Sequence, residues 1–391
     1  MQNFEFYAPT KMIFGKDTHL KVGAILKDYG FHKILLHYGK GSVKQSGLLT
    51  QVISSLNEAE IKFIELGGVE PNPKIELVRK GALICKEDGI ELILAVGGGS
   101  VIDSSKAIAV ACKVDFDPWK FFTKEETAKV SLPVGTILTL AASGSEMSSS
   151  AVLTNEEKLL KRGFHSELNR PLFSILNPEL TYTVSPYQTA CGISDIMMHT
   201  LERYFSLGQN TPLTDRISEG LLKSVIEAGE TVMKKPNDYG ARATLMWAAS
   251  ISHNDLTGLG RSSFMQCHQI EHELSGLYDI VSHGAGLCII FPAWAKYVYQ
   301  SAQSRFVQYA QRVWNIEANF ENIADTALKG INATEHYFES IGMPTKLSDL
   351  DIGSEQFEEM AEKCTFYGKR TLPGYFVLDK NNIIDILNLA K

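Results

Sequence analysis

The first half of the chain alternates short apolar runs with amphipathic stretches. Lys33-Ile34-Leu35-Leu36-His37-Tyr38 reads as a strand ending at Gly39, and Ile61-Lys62-Phe63-Ile64-Glu65-Leu66 as a second ending at Gly67-Gly68. Glu91-Leu92-Ile93-Leu94-Ala95-Val96 is a third, stopped by Gly97-Gly98-Gly99, and residues 136–140 are a fourth. Between them, residues 48–58, 76–88 and 103–112 carry helical spacing. This rhythm predicts a parallel sheet with helices on its faces. Beyond Pro186 the period changes. Residues 194–207, 213–233, 241–257 and 302–313 read as helices, and strand patterns become scarce. The expectation is a Rossmann-like α/β domain over residues 1–185 and an all-α domain over 186–391.

Composition supports a folded chain. Of 391 residues, 44% are hydrophobic and 21% charged, so a largely disordered chain is excluded. The net charge of −7 lacks the basic footprint of a nucleic-acid binder. No apolar run approaches membrane-span length, and the N-terminus has no signal-peptide pattern. The six cysteines are scattered without a C-x-x-C pair, which fits reduced thiols in a cytoplasmic protein.

Two glycine loops carry candidate chemistry. Gly97-Gly98-Gly99-Ser100 follows a strand and precedes a helix bearing Asp103 and Lys106. Glycines allow close backbone approach to a phosphate, and a helix N-terminus offers free N–H groups to it. The plain alternative is a tight βα turn. Tyr38-Gly39-Lys40-Gly41-Ser42-Val43-Lys44 follows the first strand and contains no acid. An acid in such a loop would bind the ribose 2′-hydroxyl and repel a 2′-phosphate. Its absence, with two lysines, favours NADP(H) over NAD(H); a solvated lysine-rich turn is the alternative.

The helical half holds a possible metal set. Asp195 and His199 lie at i and i+4, as do His268 and His272, and His283 follows just before Gly284. Such spacing puts each pair on one helix face. One carboxylate with imidazoles and no thiolate suits Fe²⁺ or Zn²⁺. Taken singly, each pair is more often a surface or core feature than a ligand set.

These motifs together resemble the iron-containing (group III) alcohol dehydrogenase family, which is related to dehydroquinate synthase and glycerol dehydrogenase. The resemblance is nearest to its butanol dehydrogenase and NADPH-dependent aldehyde reductase branch. It runs from Phe4-Glu5-Phe6-Tyr7-Ala8-Pro9-Thr10-Lys11 through Val69-Glu70-Pro71-Asn72-Pro73 and the 97–106 run. It continues through Ala142-Ser143-Gly144-Ser145-Glu146 to His268-Gln269-Ile270-Glu271-His272 and Ser282-His283-Gly284-Ala285-Gly286.

The resemblance implies a dehydroquinate synthase-like fold, and hydride transfer between NAD(P)H and short aldehydes such as butanal. By it, Gly97, Gly98, Gly99 and Ser100 hold the cofactor diphosphate, and Asp103 orders that loop. Gly39, Gly41 and Ser42 face the ribose or its 2′-phosphate. Thr136, Thr139 and Leu176 border the adenine, and Ser143 and Lys161 the nicotinamide end. Asp195, His199, His268 and His283 match the ligands of one divalent ion, and His272 matches a histidine placed for proton relay. It further implies a homodimer in which residues 3–7 pair across subunits, with cofactor and metal meeting in the cleft between the domains.

Three competing readings remain open. A dehydroquinate synthase-like lyase would need several cations near the metal, and Arg261 is the main one near His268. A glycerol-dehydrogenase-like enzyme would prefer NAD and diols. A non-catalytic metal- or nucleotide-binding protein would have no reason to keep both constellations.

Overall fold

A computed structural model describes residues 1–208 and 210–391. The strands are β1 (Lys11–Phe14), β2 (Lys33–Gly39), β3 (Lys62–Val69), β4 (Leu92–Gly97), β5 (Val134–Leu138), β6 (Ser150–Asn155), β7 (Leu160–His165) and β8 (Phe173–Leu176). Helices α1 (Val22–Asp28), α2 (Ser42–Gln45), α3 (Leu48–Glu58), α4 (Ile75–Glu87), α5 (Gly99–Ala111) and α6 (Trp119–Phe122) lie among them. The helical half contains α7 (Pro186–Tyr204), α8 (Pro212–Lys234), α9 (Tyr239–Ser252), α10 (Gln266–Leu277) and α11 (His283–Val298). It continues with α12 (Gln303–Trp314), α13 (Ile323–Ser340), α14 (Phe357–Cys364) and α15 (Lys380–Leu389).

Six strands form one sheet in the order β1-β8-β5-β4-β2-β3, with every pairing parallel. Side chains alternate across it as a strand requires. Ile34, Leu36, Leu92, Leu94 and Val96 join one buried layer with residues of α1 and α3, including Leu26 and Val52. Leu35 and Ile93 join the opposite layer with Val78 and Ala82 of α4 and Ile108 of α5. Burial on both faces explains why β2 and β4 read as continuous apolar runs rather than as alternating ones.

The chain divides into two compact units, Tyr7–Val184 and Ser185–Lys391, with Met1–Phe6 belonging to the second. This division differs from the expected 1–185 and 186–391 at Met1–Phe6 and at Ser185, which lie with the helical unit. Gln2 ties Met1–Phe6 to the helical unit: its N–H donates to the Gly260 carbonyl at 2.9 Å, and its side-chain oxygen accepts from Ser262 Oγ at 2.9 Å.

Helix boundaries differ from the sequence reading where a cap sets them. The helix expected from residue 194 begins at Pro186, because Ser185 Oγ accepts the Gln188 N–H at 3.2 Å and proline suits the first helical position. The helix expected over 241–257 stops at Ser252, and Asp255 shortly after takes a left-handed φ of 77°. The β6–β7 hairpin is antiparallel and separate from the main sheet. All six cysteines are buried and free. Among the described residues, no helix is long and apolar enough to cross a membrane.

Candidate active site

In the sheet unit the strand order reverses between β2 and β4. The chain leaves β2 for β3 on one side and β4 for β5 on the other. In an open parallel sheet, the carboxyl edge at such a reversal is where nucleotides bind. The loops there are Gly39–Ser42 after β2 and Gly97–Ser100 after β4, brought side by side by the pairing of Tyr38 with Val96. Helix α5 starts at Gly99, four residues earlier than its apolar pattern suggests, so Ser100 sits in its first turn without a competing acid. A Cβ on Gly99 would lie 2.3 Å from Ser143 Oγ and 3.3 Å from its Cβ, so a side chain there would push the Ser143 hydroxyl aside.

Two α5 side chains hold that neighbouring loop. Asp103 accepts from Ser145 Oγ at 2.5 Å and from the Val152 N–H at 2.9 Å. Lys106 is fully buried and donates to Ser145 Oγ (2.9 Å), the Ser148 carbonyl (3.0 Å) and the Ser150 carbonyl (2.8 Å). Burial lowers its ammonium to about 8, against the opposing pull of Asp103 and Glu146. Asp103 thus ties α5 to the segment after β5.

The remaining dinucleotide candidates are spread over the same unit. Thr139 follows β5, and its N–H donates to the Gly97 carbonyl at 3.1 Å. Leu176 ends β8, at the same edge of the parallel sheet. Thr136 is mid-strand and fully buried, and its hydroxyl makes no hydrogen bond. Lys161 is on the separate hairpin, opposite Thr154. The loop after β2 has no acid of its own, yet Lys40 forms an ion pair with Glu70, which directly follows β3.

The helical unit gathers the second set. Asp195 and His199 are buried on α7, His268 is buried on α10, and His283 opens α11. Asp195 Oδ1 is 3.2 Å from His199 Nδ1, 3.7 Å from His268 Nε2 and 3.8 Å from His283 Nε2. His283 comes so close because of Gly284. A Cβ there would meet the Cys191 carbonyl oxygen at 2.2 Å, so glycine is what lets α11 touch the α7 backbone. His272 lies beside the group, its ring centroid 5.5 Å from that of His283 and 6.5 Å from that of His268.

The residues fit a divalent cation. Asp195 Oδ1 and His268 Nε2 are both buried and neither makes a hydrogen bond. A buried carboxylate oxygen facing an imidazole nitrogen with no partner is costly unless a cation satisfies both. Burial, followed by the neighbouring His253 and His268, holds His199 well below its ordinary value, so it presents a neutral imidazole. Burial opposes protonation of His268 too, but Glu202 and Asp195 outweigh it and raise its pKa to about 9. A cation beside Nε2 would take the place of that proton.

Three residues of this cluster escape a sequence reading. Glu202 takes His268 Nδ1 and Glu271 takes His283 Nδ1. The His253 ring stacks on His199, centroids 4.0 Å apart. The available signal was spacing: Glu202 follows His199 by three residues, as Glu271 follows His268, one helical turn in each case.

A family model for iron-containing alcohol dehydrogenases matches residues 9–178, and one for the C-terminal part of the same family matches residues 189–390. The chain belongs to the iron-containing alcohol dehydrogenase family. It is 43% identical over 390 residues to the probable NADH-dependent butanol dehydrogenase 1 of Bacillus subtilis, covering 100% of both chains. It is 36% identical to the NADPH-dependent aldehyde reductase YqhD of Escherichia coli, covering 95% of each. The crystal structure of NADH-dependent butanol dehydrogenase A from Thermotoga maritima superposes with a TM-score of 0.96 at 37% identity, over 100% of this chain and 99% of that one. The protein is therefore an alcohol dehydrogenase-family oxidoreductase. Arg261, the cation a lyase would need, is engaged in the helical unit instead. It donates to Asp215 at 2.6 Å and to the carbonyls of Arg203 and Tyr204 at 3.3 and 3.2 Å.

Proposed function

We propose that this enzyme interconverts short aliphatic aldehydes, such as butanal, and their alcohols, using a nicotinamide dinucleotide and one divalent ion, Fe²⁺ or Zn²⁺. The observation that carries the reading is the buried pair of Asp195 Oδ1 and His268 Nε2, 3.7 Å apart and without hydrogen bonds. Asp195, His199, His268 and His283 hold the ion. When bound, the ion stabilises the charge that grows on the substrate oxygen, and the dinucleotide supplies or accepts the hydride.

The protein's own residues do the rest. Gly97, Gly98, Gly99 and Ser100 bind the diphosphate at the start of α5, and Asp103 with Lys106 fixes the loop bearing Ser143. Gly39, Gly41 and Ser42 bind the adenosine ribose, with Thr136, Thr139 and Leu176 on the adenine side. Lys161 and Ser143 orient the nicotinamide. His272, one helical turn beyond a ligand, carries the proton to or from the product oxygen, a role suited to imidazole near neutral pH.

NADP(H) is the preferred coenzyme on charge grounds. Lys40 and Lys44 offer cations to a 2′-phosphate. The exposed Lys40–Glu70 pair, worth about 0.2–1 kcal/mol by the general rule for surface pairs, is readily exchanged for a phosphate. The six buried free cysteines support a cytoplasmic location. Phe4, Phe6 and Tyr7, exposed in the single chain, support a homodimer in which residues 3–7 pair between copies.

The test is metal analysis of anaerobically purified protein, with butanal reduction followed under NADPH and under NADH, and glycerol oxidation under NAD. One ion per chain and NADPH-driven turnover of butanal is the expected result. Turnover of glycerol with NAD alone would make the enzyme a polyol dehydrogenase, and no ion would remove the metal assignment.

A further inference from the structure

Around Asp195 Oδ1, His199 presents Nδ1 at 3.2 Å, whereas His268 and His283 share the opposite orientation. All three have Nδ1 on a hydrogen-bond acceptor. His199 Nδ1 lies 3.0 Å from the Asp195 backbone carbonyl, His268 Nδ1 is on Glu202 and His283 Nδ1 is on Glu271. For His268 and His283, it is Nε2 that faces Asp195 Oδ1. The two glutamate side chains are 1% and 0% exposed, as buried as any apolar core residue.

Burying two carboxylates costs several kcal/mol each unless they are paired with positive charge. Some of that cost is met locally for Glu202, which also accepts the N–H groups of Cys267 (2.6 Å) and His268 (3.2 Å) at the start of α10. Glu271 sits in space that α11 leaves for it. A Cβ on Gly286 would come within 2.8 Å of Glu271 Cγ and 2.9 Å of Oε1. A carboxylate on the far nitrogen fixes the Nδ1–H tautomer, aims Nε2, and makes the imidazole a stronger donor to a cation.

We propose that Glu202 and Glu271 are positioning residues of the metal centre: each locks one ligand histidine in the Nδ1–H tautomer and adds negative charge that tightens ion binding. This rests on the metal reading above.

The test compares the full-length wild type with Glu202→Gln and Glu271→Gln, which keep shape and an acceptor oxygen but remove the charge. Zn²⁺ affinity is measured by chelator competition, Co²⁺ absorption bands report the ligand field, and melting is recorded with and without Zn²⁺. Because Glu202 also holds two backbone N–H groups, Glu271→Gln is the decisive variant. The expected result is Zn²⁺ bound roughly 10- to 100-fold more weakly, faster release to the chelator and shifted Co²⁺ bands, with metal-free melting of Glu271→Gln unchanged. Wild-type affinity and unshifted bands in both variants would overturn the proposal, as would equal loss of thermal stability with and without Zn²⁺. If the wild type itself binds no Zn²⁺, the metal reading fails first and this inference falls with it.

Discussion

Asp195 Oδ1 and His268 Nε2 stand 3.7 Å apart on neighbouring helices, both buried and neither hydrogen-bonded. The fold maintains this otherwise unfavourable arrangement through α7 and α10, which makes it the point where loss of one side chain is most informative. Asp195→Ala and His268→Ala should each abolish stoichiometric metal and lower turnover by more than about a hundredfold, in line with several kcal/mol of transition-state charge stabilisation. Dinucleotide binding should persist, since its residues belong to the other unit. Elemental analysis and fluorescence titration with NADPH check this. Full metal content with normal turnover in either variant would show the ligand assignment to be wrong.

His272 should separate from the ligands in a mutant. His272→Ala should keep its metal yet lose about 10²- to 10⁴-fold in turnover, the usual range for a lost general acid–base. Steady-state rates across pH, alongside metal analysis, are the measurement. A variant with the same rate–pH profile as the wild type would remove His272 from proton transfer.

The coenzyme reading turns on Lys40. Lys40→Glu removes a cation and adds a like charge facing the 2′-phosphate, so the NADPH-to-NADH ratio of kcat/KM should fall by roughly 10- to 100-fold, the scale of a charge-assisted hydrogen bond. A ratio that does not move would detach this loop from the 2′-position.

Gly284→Ala should disturb the metal centre from outside it. The new Cβ would press on the Cys191 carbonyl, a backbone group with no flexible side chain to yield. The expected outcome is a loss of about 1–3 kcal/mol of stability with weakened metal retention, measured by urea unfolding and chelator competition. Wild-type stability and metal retention would mean that α11 can shift without moving His283.

His37 gives a pH signature in the other unit. Its ring is fully buried, with Nδ1 donating to the Leu66 carbonyl at 2.7 Å and Nε2 accepting from Ser104 Oγ at 2.9 Å. Burial lowers its pKa from 6.5 to about 4, against the opposing effect of the Leu66 bond. The folded value is depressed, so the unfolded chain takes up the proton first. The stabilisation is complete above about 6.5 and is lost as pH falls towards 4. Between pH 7 and pH 5 this one group should cost about 2 kcal/mol. Urea unfolding of the wild type and of His37→Gln at both values should show the variant lacking that increment. An identical pH dependence in the two proteins would contradict the assignment.

The sequence made the two halves legible because their periodicities differ. Strands β2 and β4 stand out as apolar runs closed by glycine, and α3 matches its expected span residue for residue. The i,i+4 pairs Asp195/His199 and His268/His272 were visible because one helix face carries each. The β6–β7 hairpin was not visible, because its polar and apolar positions do not alternate cleanly and it lies outside the main sheet. Glu202 and Glu271 were hidden for another reason. A glutamate on a helix ordinarily faces water, and its place three residues after a histidine does not say that a different histidine, His268 or His283, will be its partner. His253 was obscured in the same way by the turn that ends α9. The Lys40–Glu70 pair joins the ends of two strands whose adjacency only the sheet order reveals.

The claim that a single ion held by Asp195, His199, His268 and His283 supports aldehyde reduction has one most direct test. The purified enzyme is stripped with a chelator, assayed for NADPH-dependent butanal reduction, then reloaded with Fe²⁺ or Zn²⁺ and assayed again. Activity should fall to background as the ion is removed and return with one equivalent of metal, while NADPH still binds the stripped protein. Undiminished turnover by the metal-free enzyme would contradict the account.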